Sequence, residues 1–77
     1  MIKVYSQPKC VQCEMTKEFL KANNVKFEEV NVLEDEEALK LIKLHGFKGL
    51  PVVTRNNSFD FAFSGFQIDL LNELVEE

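Results

Sequence analysis

The chain has 77 residues, of which 45% are hydrophobic and 29% are charged, and its formal net charge is −4. A chain of this length has room for one small core, so we expect residues 1–77 to form a single domain. The negative charge disfavours nucleic acid as a partner, and no apolar run is long enough to cross a bilayer or to act as a signal peptide. These features predict a cytoplasmic protein that does not contact membranes, and the reducing cytoplasm disfavours an ordinary structural disulfide.

Hydrophobic periodicity predicts four elements in the first half of the chain. The alternation in "IKVYS" at 2–6 predicts a strand, and apolar residues at three- and four-residue spacings predict a helix from about Val11 to Asn23. The extended segment "KFEEVNV" follows, and the acidic run at 34–37 opens a second helix. We expect that helix to end at Gly46 and to carry an apolar face made of Ala38, Leu41 and Ile42.

The second half predicts a hairpin and a final helix. The strand-like runs "LPVVT" and "SFDFAF" are separated by Arg55-Asn56-Asn57, which suits a tight turn. The tail from Gln67 to Val75 predicts a helix with one apolar stripe, formed by Ile68, Leu71, Leu74 and Val75. The order β-α-β-α-β-β-α predicts an α/β fold in which a four-stranded mixed sheet carries three helices on its two faces.

The chemistry of the sequence centres on Cys10 and Cys13, which are its only cysteines. A closed zinc site would need two further N or S ligands, and the chain offers only carboxylates and His45, which we expect to be a surface imidazole. A zinc site shared between two chains is an alternative. A structural disulfide across two intervening residues would remove little chain entropy. Thiol–disulfide exchange is therefore the favoured interpretation, and we predict no metal site within the chain.

The predicted helix start gives the two cysteines different roles. Free backbone N–H groups and the positive end of the helix dipole stabilise a thiolate there. We expect Cys10 to be exposed at the first turn and Cys13 to point back into it. Cys10 is therefore the predicted nucleophile and Cys13 the resolving thiol. Lys9 and Lys17 would favour the thiolate and Glu14 would oppose it, although an ordinary solvated side chain is the favoured interpretation at each of these positions.

Three short blocks carry a family resemblance that extends over essentially the whole chain. They are "CVQC" at 10–13 followed by Thr16-Lys17, "LPVV" at 50–53, and "FSGF" at 63–66. In this order they resemble the NrdH-redoxins, which are glutaredoxin-like proteins with the thioredoxin fold. The resemblance implies a cis Leu50–Pro51 peptide bond that faces the cysteines. It also implies a partner-binding surface, which consists of Val11, Gln12, Leu50, Pro51, Ser64, Gly65 and Phe66.

The same resemblance implies a place in electron transport for deoxyribonucleotide synthesis. Thioredoxin reductase would reduce the Cys10–Cys13 disulfide, and the dithiol would reduce the large subunit of class Ib ribonucleotide reductase. The resemblance implies no bound cofactor other than the redox-active disulfide, and we expect a monomer.

Some positions depart from the family pattern. Gln7 stands where related glutaredoxins usually carry a lysine suited to a glutathione carboxylate, although Lys9 would supply a charge nearby. Phe63 replaces a tryptophan, Gln67-Ile68 replace an arginine and a proline, and Phe66 is compatible with either a core or a recognition role. The neutral Gln7 weakens the main alternative, which is a glutathione-dependent glutaredoxin that reduces protein disulfides. A non-catalytic adaptor with the same fold is a further one.

Overall fold

The structure, a computed structural model, describes residues 2–55 and 58–76 of the chain. The predicted elements occur in the predicted order, with these bounds: β1 (Ile2–Ser6), α1 (Val11–Ala22), β2 (Phe27–Asn31), α2 (Glu36–Leu44), β3 (Val52–Arg55), β4 (Ser58–Ser64) and α3 (Ile68–Val75). The predicted turn residues Asn56 and Asn57 lie outside the described residues.

Within the described part of the chain, the strands form one sheet in the order β2-β1-β3-β4. β1 pairs in parallel with β2, whereas β3 is antiparallel to both β1 and β4. The predicted parallel pair and the predicted hairpin are therefore both confirmed. Together with the three helices, this sheet confirms the predicted α/β fold of the thioredoxin type.

The helices cover both faces of the sheet because successive strand side chains point to opposite sides. One face carries α1 and α3, and its buried cluster consists of Ile2, Val4, Leu20, Val53, Phe63, Leu71 and Leu74. The other face carries α2, and its buried cluster consists of Tyr5, Val32, Ala38, Ile42 and Val52. Because β1 is buried on both faces, its position in the sheet is well defined. The chain leaves β1 at Ser6 and enters the loop that precedes Cys10.

Two residues predicted to line apolar helix faces are exposed rather than buried. Leu41 is 37% exposed, because Ala38 and Ile42 already fill the face of α2 that contacts the sheet. Ile68 is 43% exposed, because it is the first residue of α3 and lies beyond the buried part of that helix. The predicted stripe of α3 is therefore confirmed at its buried leucines but is wrong at Ile68.

The ends of the helices follow the chemistry of their terminal residues. The side chain of Asp35 caps α2 by accepting the backbone N–H of Ala38 at 3.0 Å. Gly46 has a φ of +86° just beyond α2, as the pattern predicts. Asn24 has a φ of +59° beyond α1, and the helix ends at Ala22, one residue before the predicted end at about Asn23. Among the described residues, no helix is both long enough and apolar enough to cross a membrane.

Candidate active site

A disulfide between Cys10 and Cys13 lies at the N-terminus of α1, where the Cα atoms of the two residues are 5.2 Å apart. Cys10 is the N-cap residue, and its Sγ accepts the backbone N–H of Cys13 at 3.2 Å. Cys13 is fully buried, whereas Cys10 is partly exposed. A partner disulfide approaching from solvent therefore reaches Cys10 first.

Lys9, the residue before this cap, has an unusual backbone conformation. Its φ is +62°, in the left-handed region, where a residue with a Cβ is disfavoured by about 1 kcal/mol or more. The side chain of Lys9 is exposed. The tight turn from β1 into α1 thus includes an exposed cation, Lys9, directly before Cys10.

The predicted cis bond between Leu50 and Pro51 is confirmed, and it lies beside the disulfide. The carbonyl oxygen of Leu50 is 3.9 Å from the Sγ of Cys10. Pro51 is almost completely buried, and its own carbonyl oxygen accepts the backbone N–H of Gly65 at 2.9 Å. The loop before β3 thus contacts both Cys10 and the segment that follows β4.

That segment also contacts the residue between the cysteines. Gln12 Oε1 accepts the backbone N–H of Phe66 at 2.9 Å. The ring of Phe66 is partly buried against the core cluster on the α1 and α3 face, so its side chain packs while its backbone contacts the C-x-x-C motif. The sequence contained no signal for this hydrogen bond, which joins residues 54 positions apart.

The three stretches of the predicted partner-binding surface therefore meet around Cys10. Val11 follows Cys10 and is 74% exposed, which makes it available for contact. Leu50 and Ser64 are partly exposed, and the carbonyl oxygen of Ser64 accepts the side-chain amide of Gln67 at 2.7 Å. The arrangement places the exposed side chain of Val11 and the carbonyl oxygen of Leu50 next to the partly exposed Cys10.

Lys17 lies one helical turn after Cys13, but its ammonium group forms ion pairs with two carboxylates. Its Nζ is 2.6 Å from Glu29 Oε2 and 3.0 Å from Glu14 Oε1, and the hydroxyl of Ser6 donates to the same Glu29 oxygen at 3.1 Å. The hydrogen bond between Lys17 and Glu29 raises the pKa of Lys17 and lowers the pKa of Glu29. This geometry argues against the expectation that Lys17 stabilises the thiolate.

An open groove of about 740 Å³ begins at Cys10 and extends along α2 and the segment before Pro51. Its apolar part includes Leu33, Phe47 and Leu50, and the cations Lys43 and Lys48 also line it. Gln7 lines the groove too, so the position where related glutaredoxins usually carry a lysine does face this space. The groove therefore combines apolar surface with positive charge, and it begins at the partly exposed Cys10.

His45, the only histidine in the sequence, packs against an aromatic ring. The ring of His45 stacks on Phe59, with centroids 4.2 Å apart and an interplanar angle of 6°. In residues 2–55 and 58–76, no cluster of three or more His, Cys, Asp or Glu side chains is arranged to hold a metal ion.

Comparison with known proteins gives a consistent family assignment. The glutaredoxin family model matches residues 2–59. The glutaredoxin-like protein NrdH of Lactococcus lactis subsp. lactis (strain IL1403) is 39% identical over 97% of this chain and 100% of that protein. The protein of the same name from Escherichia coli (strain K12) is 37% identical over 95% of this chain and 86% of that protein.

Solved structures agree with this assignment. NrdH-redoxin from Escherichia coli matches with a TM-score of 0.88 and 36% identity, covering 95% of this chain and 92% of that chain. A glutaredoxin from Archaeoglobus fulgidus matches with a TM-score of 0.77 and 32% identity, covering 99% of this chain and 86% of that chain. The chain therefore belongs to the glutaredoxin family, in its NrdH-redoxin group, and is a thiol–disulfide oxidoreductase with a Cys10–Cys13 disulfide.

Proposed function

We propose that this protein carries electrons from thioredoxin reductase to the large subunit of class Ib ribonucleotide reductase. The observation that carries the proposal is the similarity to NrdH proteins over nearly the whole chain. The Escherichia coli NrdH-redoxin is described as having a thioredoxin-like activity profile, which favours a flavoprotein reductant over glutathione for its relatives. We further propose that the chain acts as a monomeric single domain in the cytoplasm.

In the proposed first step, Cys10 attacks the partner. The Cys10 thiolate forms a bond to one sulfur of the partner disulfide, and the other partner sulfur leaves as a thiolate. The N–H of Cys13, 3.2 Å from Cys10 Sγ, and the N-terminal end of the α1 dipole both stabilise negative charge on Cys10. Stabilisation of the thiolate also makes Cys10 a good leaving group in the following step.

In the second step, Cys13 resolves the mixed disulfide. Cys13 loses its proton and attacks Cys10 Sγ, which closes the Cys10–Cys13 disulfide and releases the second partner sulfur as a thiolate. Two electrons thereby pass to the partner, whose thiolates take up two protons. Because Cys13 is buried and held beside Cys10, this intramolecular attack competes well with external thiols.

A glutathione-dependent glutaredoxin is the second candidate function, and the groove provides the observation in its favour. Lys43 and Lys48 line a space that begins at Cys10, and their charges suit the carboxylates of a small peptide such as glutathione. The neutral Gln7 in the same groove weakens this reading, because it removes a cation from the position where related glutaredoxins usually carry one.

A reduction assay separates the two candidates. The oxidised protein is incubated either with NADPH and thioredoxin reductase or with NADPH, glutathione and glutathione reductase, and NADPH oxidation is followed. We expect rapid reduction in the first mixture and slow reduction in the second. Reduction in the glutathione mixture only would refute the thioredoxin reductase proposal and support the glutaredoxin reading.

The second half of the proposal needs its own measurement. Turnover of class Ib ribonucleotide reductase is measured with this protein as the only dithiol donor, with Cys10→Ser as the control. We expect turnover with the wild type and none with the variant. In a separate test, cells that depend on this protein are grown with either the wild type or Cys10→Ser. Equal growth with the two proteins would instead indicate a non-catalytic adaptor.

A further inference from the structure

Gln12 connects the helix that carries the cysteines to the segment before α3. Its Oε1 accepts the backbone N–H of Phe66 at 2.9 Å, and the same oxygen lies so close to Gly65 that a Cβ there would be 3.1 Å away. Gly65 has a φ of +81°, which glycine adopts without strain. The Gln12 side chain therefore contacts a stretch of backbone that the absence of a side chain leaves open.

The hydrogen bond also fixes the orientation of the Gln12 amide. A backbone N–H can only donate, so the atom that faces Phe66 is the oxygen, and the NH₂ group points elsewhere. The Gln12 side chain is exposed, and its Nε2 makes no hydrogen bond with any residue that the structure describes. Two donors are thus available to a partner at a position adjacent to Cys13.

Pro51 holds the same segment from the other side. The N–H of Gly65 donates to the Pro51 carbonyl oxygen at 2.9 Å, and the preceding carbonyl, that of Leu50, is 3.9 Å from Cys10 Sγ. Gln12 therefore closes a ring of contacts that runs from the cysteines to Phe66, Pro51 and back to Cys10. Loss of its oxygen would leave the segment attached through Pro51 while leaving both sulfurs and their contacts in place.

We propose that Gln12 is a positioning residue that sets how well protein partners dock, by holding the Gly65–Phe66 backbone in register with Cys10. This inference rests on the proposed partner-binding surface and is independent of which reductant supplies the electrons. It separates docking from sulfur chemistry. A disulfide within a protein contacts the whole surface, whereas a small neutral disulfide contacts only the thiolate, so a change at Gln12 affects the two reactions differently.

The test compares Gln12→Met, which keeps the length of the side chain but removes the acceptor, with Gln12→Glu, which keeps an acceptor oxygen. Glu18→Met, an exposed position on the same helix, is the control. Amide hydrogen exchange at Phe66 is measured in each variant. The reduced variants are then reacted with insulin, a protein disulfide, and with 4,4′-dithiodipyridine, a small neutral one.

For Gln12→Met we expect exchange at Phe66 to become roughly 3- to 10-fold faster and the insulin reaction roughly 3- to 10-fold slower, as the loss of one hydrogen bond predicts. The dithiodipyridine rate should stay within about 2-fold, because the contacts of the thiolate are unchanged. In Gln12→Glu an acceptor oxygen is retained, so exchange at Phe66 should return to the wild-type rate. Glu18→Met should match the wild type throughout.

Unchanged exchange at Phe66 in Gln12→Met would overturn the inference, as would an equal slowing of both reactions, which would place the effect on the thiol. A Glu18→Met protein that behaves like Gln12→Met would also overturn it. Failure of thioredoxin reductase to reduce the wild type is a separate result, which refutes the proposed function while the comparison at Gln12 still holds.

Discussion

The ion pairs around Lys17 predict a contribution to stability that depends on pH and that Glu29→Gln should remove. Glu29 joins β2 to α1 through Lys17 Nζ at 2.6 Å and to β1 through the hydroxyl of Ser6 at 3.1 Å. In the variant, the amide oxygen still accepts from Ser6, but the neutral amide no longer pairs with the ammonium. Among the described residues, Lys17 then retains Glu14 as its charged partner.

The magnitude follows from the exposure of the groups. The side chain of Lys17 is only 11% exposed, whereas those of Glu29 and Glu14 are 47% and 59% exposed. Hydrogen bonds to buried charges contribute about 1.5–3 kcal/mol, but solvent screening at half-exposed carboxylates lowers this towards the surface range of about 0–1 kcal/mol. We therefore expect Glu29→Gln to lower the free energy of unfolding by about 1 kcal/mol at neutral pH.

The pH dependence has a definite sign. Because the pKa of Glu29 is lowered in the folded protein from its ordinary value of 4.5, its contribution is present above that value and is lost as the pH falls through the folded pKa. The pKa of Lys17 is raised from 10.5, so its contribution is present below that value and is lost only as the pH rises through the folded pKa. The stability difference should be constant near neutrality and should shrink in acid.

Urea unfolding of the oxidised protein at about pH 7 and about pH 2.5 measures this difference. The matched control is Glu28→Gln, on the opposite face of β2, since Glu28 Oε1 is 3.7 Å from Lys3 Nζ and its side chain is 58% exposed. We expect Glu28→Gln to lower the free energy of unfolding by less than about 0.5 kcal/mol. An equal loss for Glu29→Gln at both pH values would refute the ion-pair reasoning, because a protonated Glu29 and a glutamine differ little in charge.

Three further predictions concern backbone, cap and chemistry. Gly65→Ala should lower the free energy of unfolding, measured with urea, by about 1–2 kcal/mol. Its φ of +81° disfavours a residue with a Cβ, and that Cβ would lie 3.1 Å from Gln12 Oε1. Unchanged stability would contradict this prediction. Asp35→Ala should cost about 1 kcal/mol through the lost cap, and Asp35→Asn should recover most of it. Cys13→Ser should accumulate a covalent adduct with its partner, seen by non-reducing mass analysis, because Cys10 still attacks and nothing resolves the bond; the same adduct in Cys10→Ser would contradict the assigned roles.

Local patterns predicted most of the fold because each pattern reports on a single element. The alternation in β1 and the helical spacing in α1 depend on which residues face the core within that element. The left-handed conformation of Gly46 follows from its position after the last apolar turn of α2. The cis bond before Pro51 is different, because only about 5–6% of such bonds are cis in folded proteins, and the prediction came from the family resemblance.

Contacts between distant polar side chains were not predictable in this way. Lys17 lies near the cysteines in the sequence, which made it a candidate to favour the thiolate, but Glu29, on a different element, pairs with it at 2.6 Å. The bond from Gln12 to Phe66 likewise depends on where α1 ends up relative to the segment after β4. Periodicity reports which face of an element is buried, and it contains no information about which polar groups meet across elements.

The two residues between the cysteines therefore make different contacts, although the C-x-x-C pattern does not distinguish them. Val11 is 74% exposed and is free to contact a partner, whereas Gln12 accepts the N–H of Phe66. The sulfur chemistry depends on the two cysteines and on the start of the helix. We propose that partner choice depends in addition on the backbone that faces the sulfur, which Gln12 contacts from within the motif. Changes at this position should therefore alter which disulfides are reduced before they alter how fast the thiolate reacts.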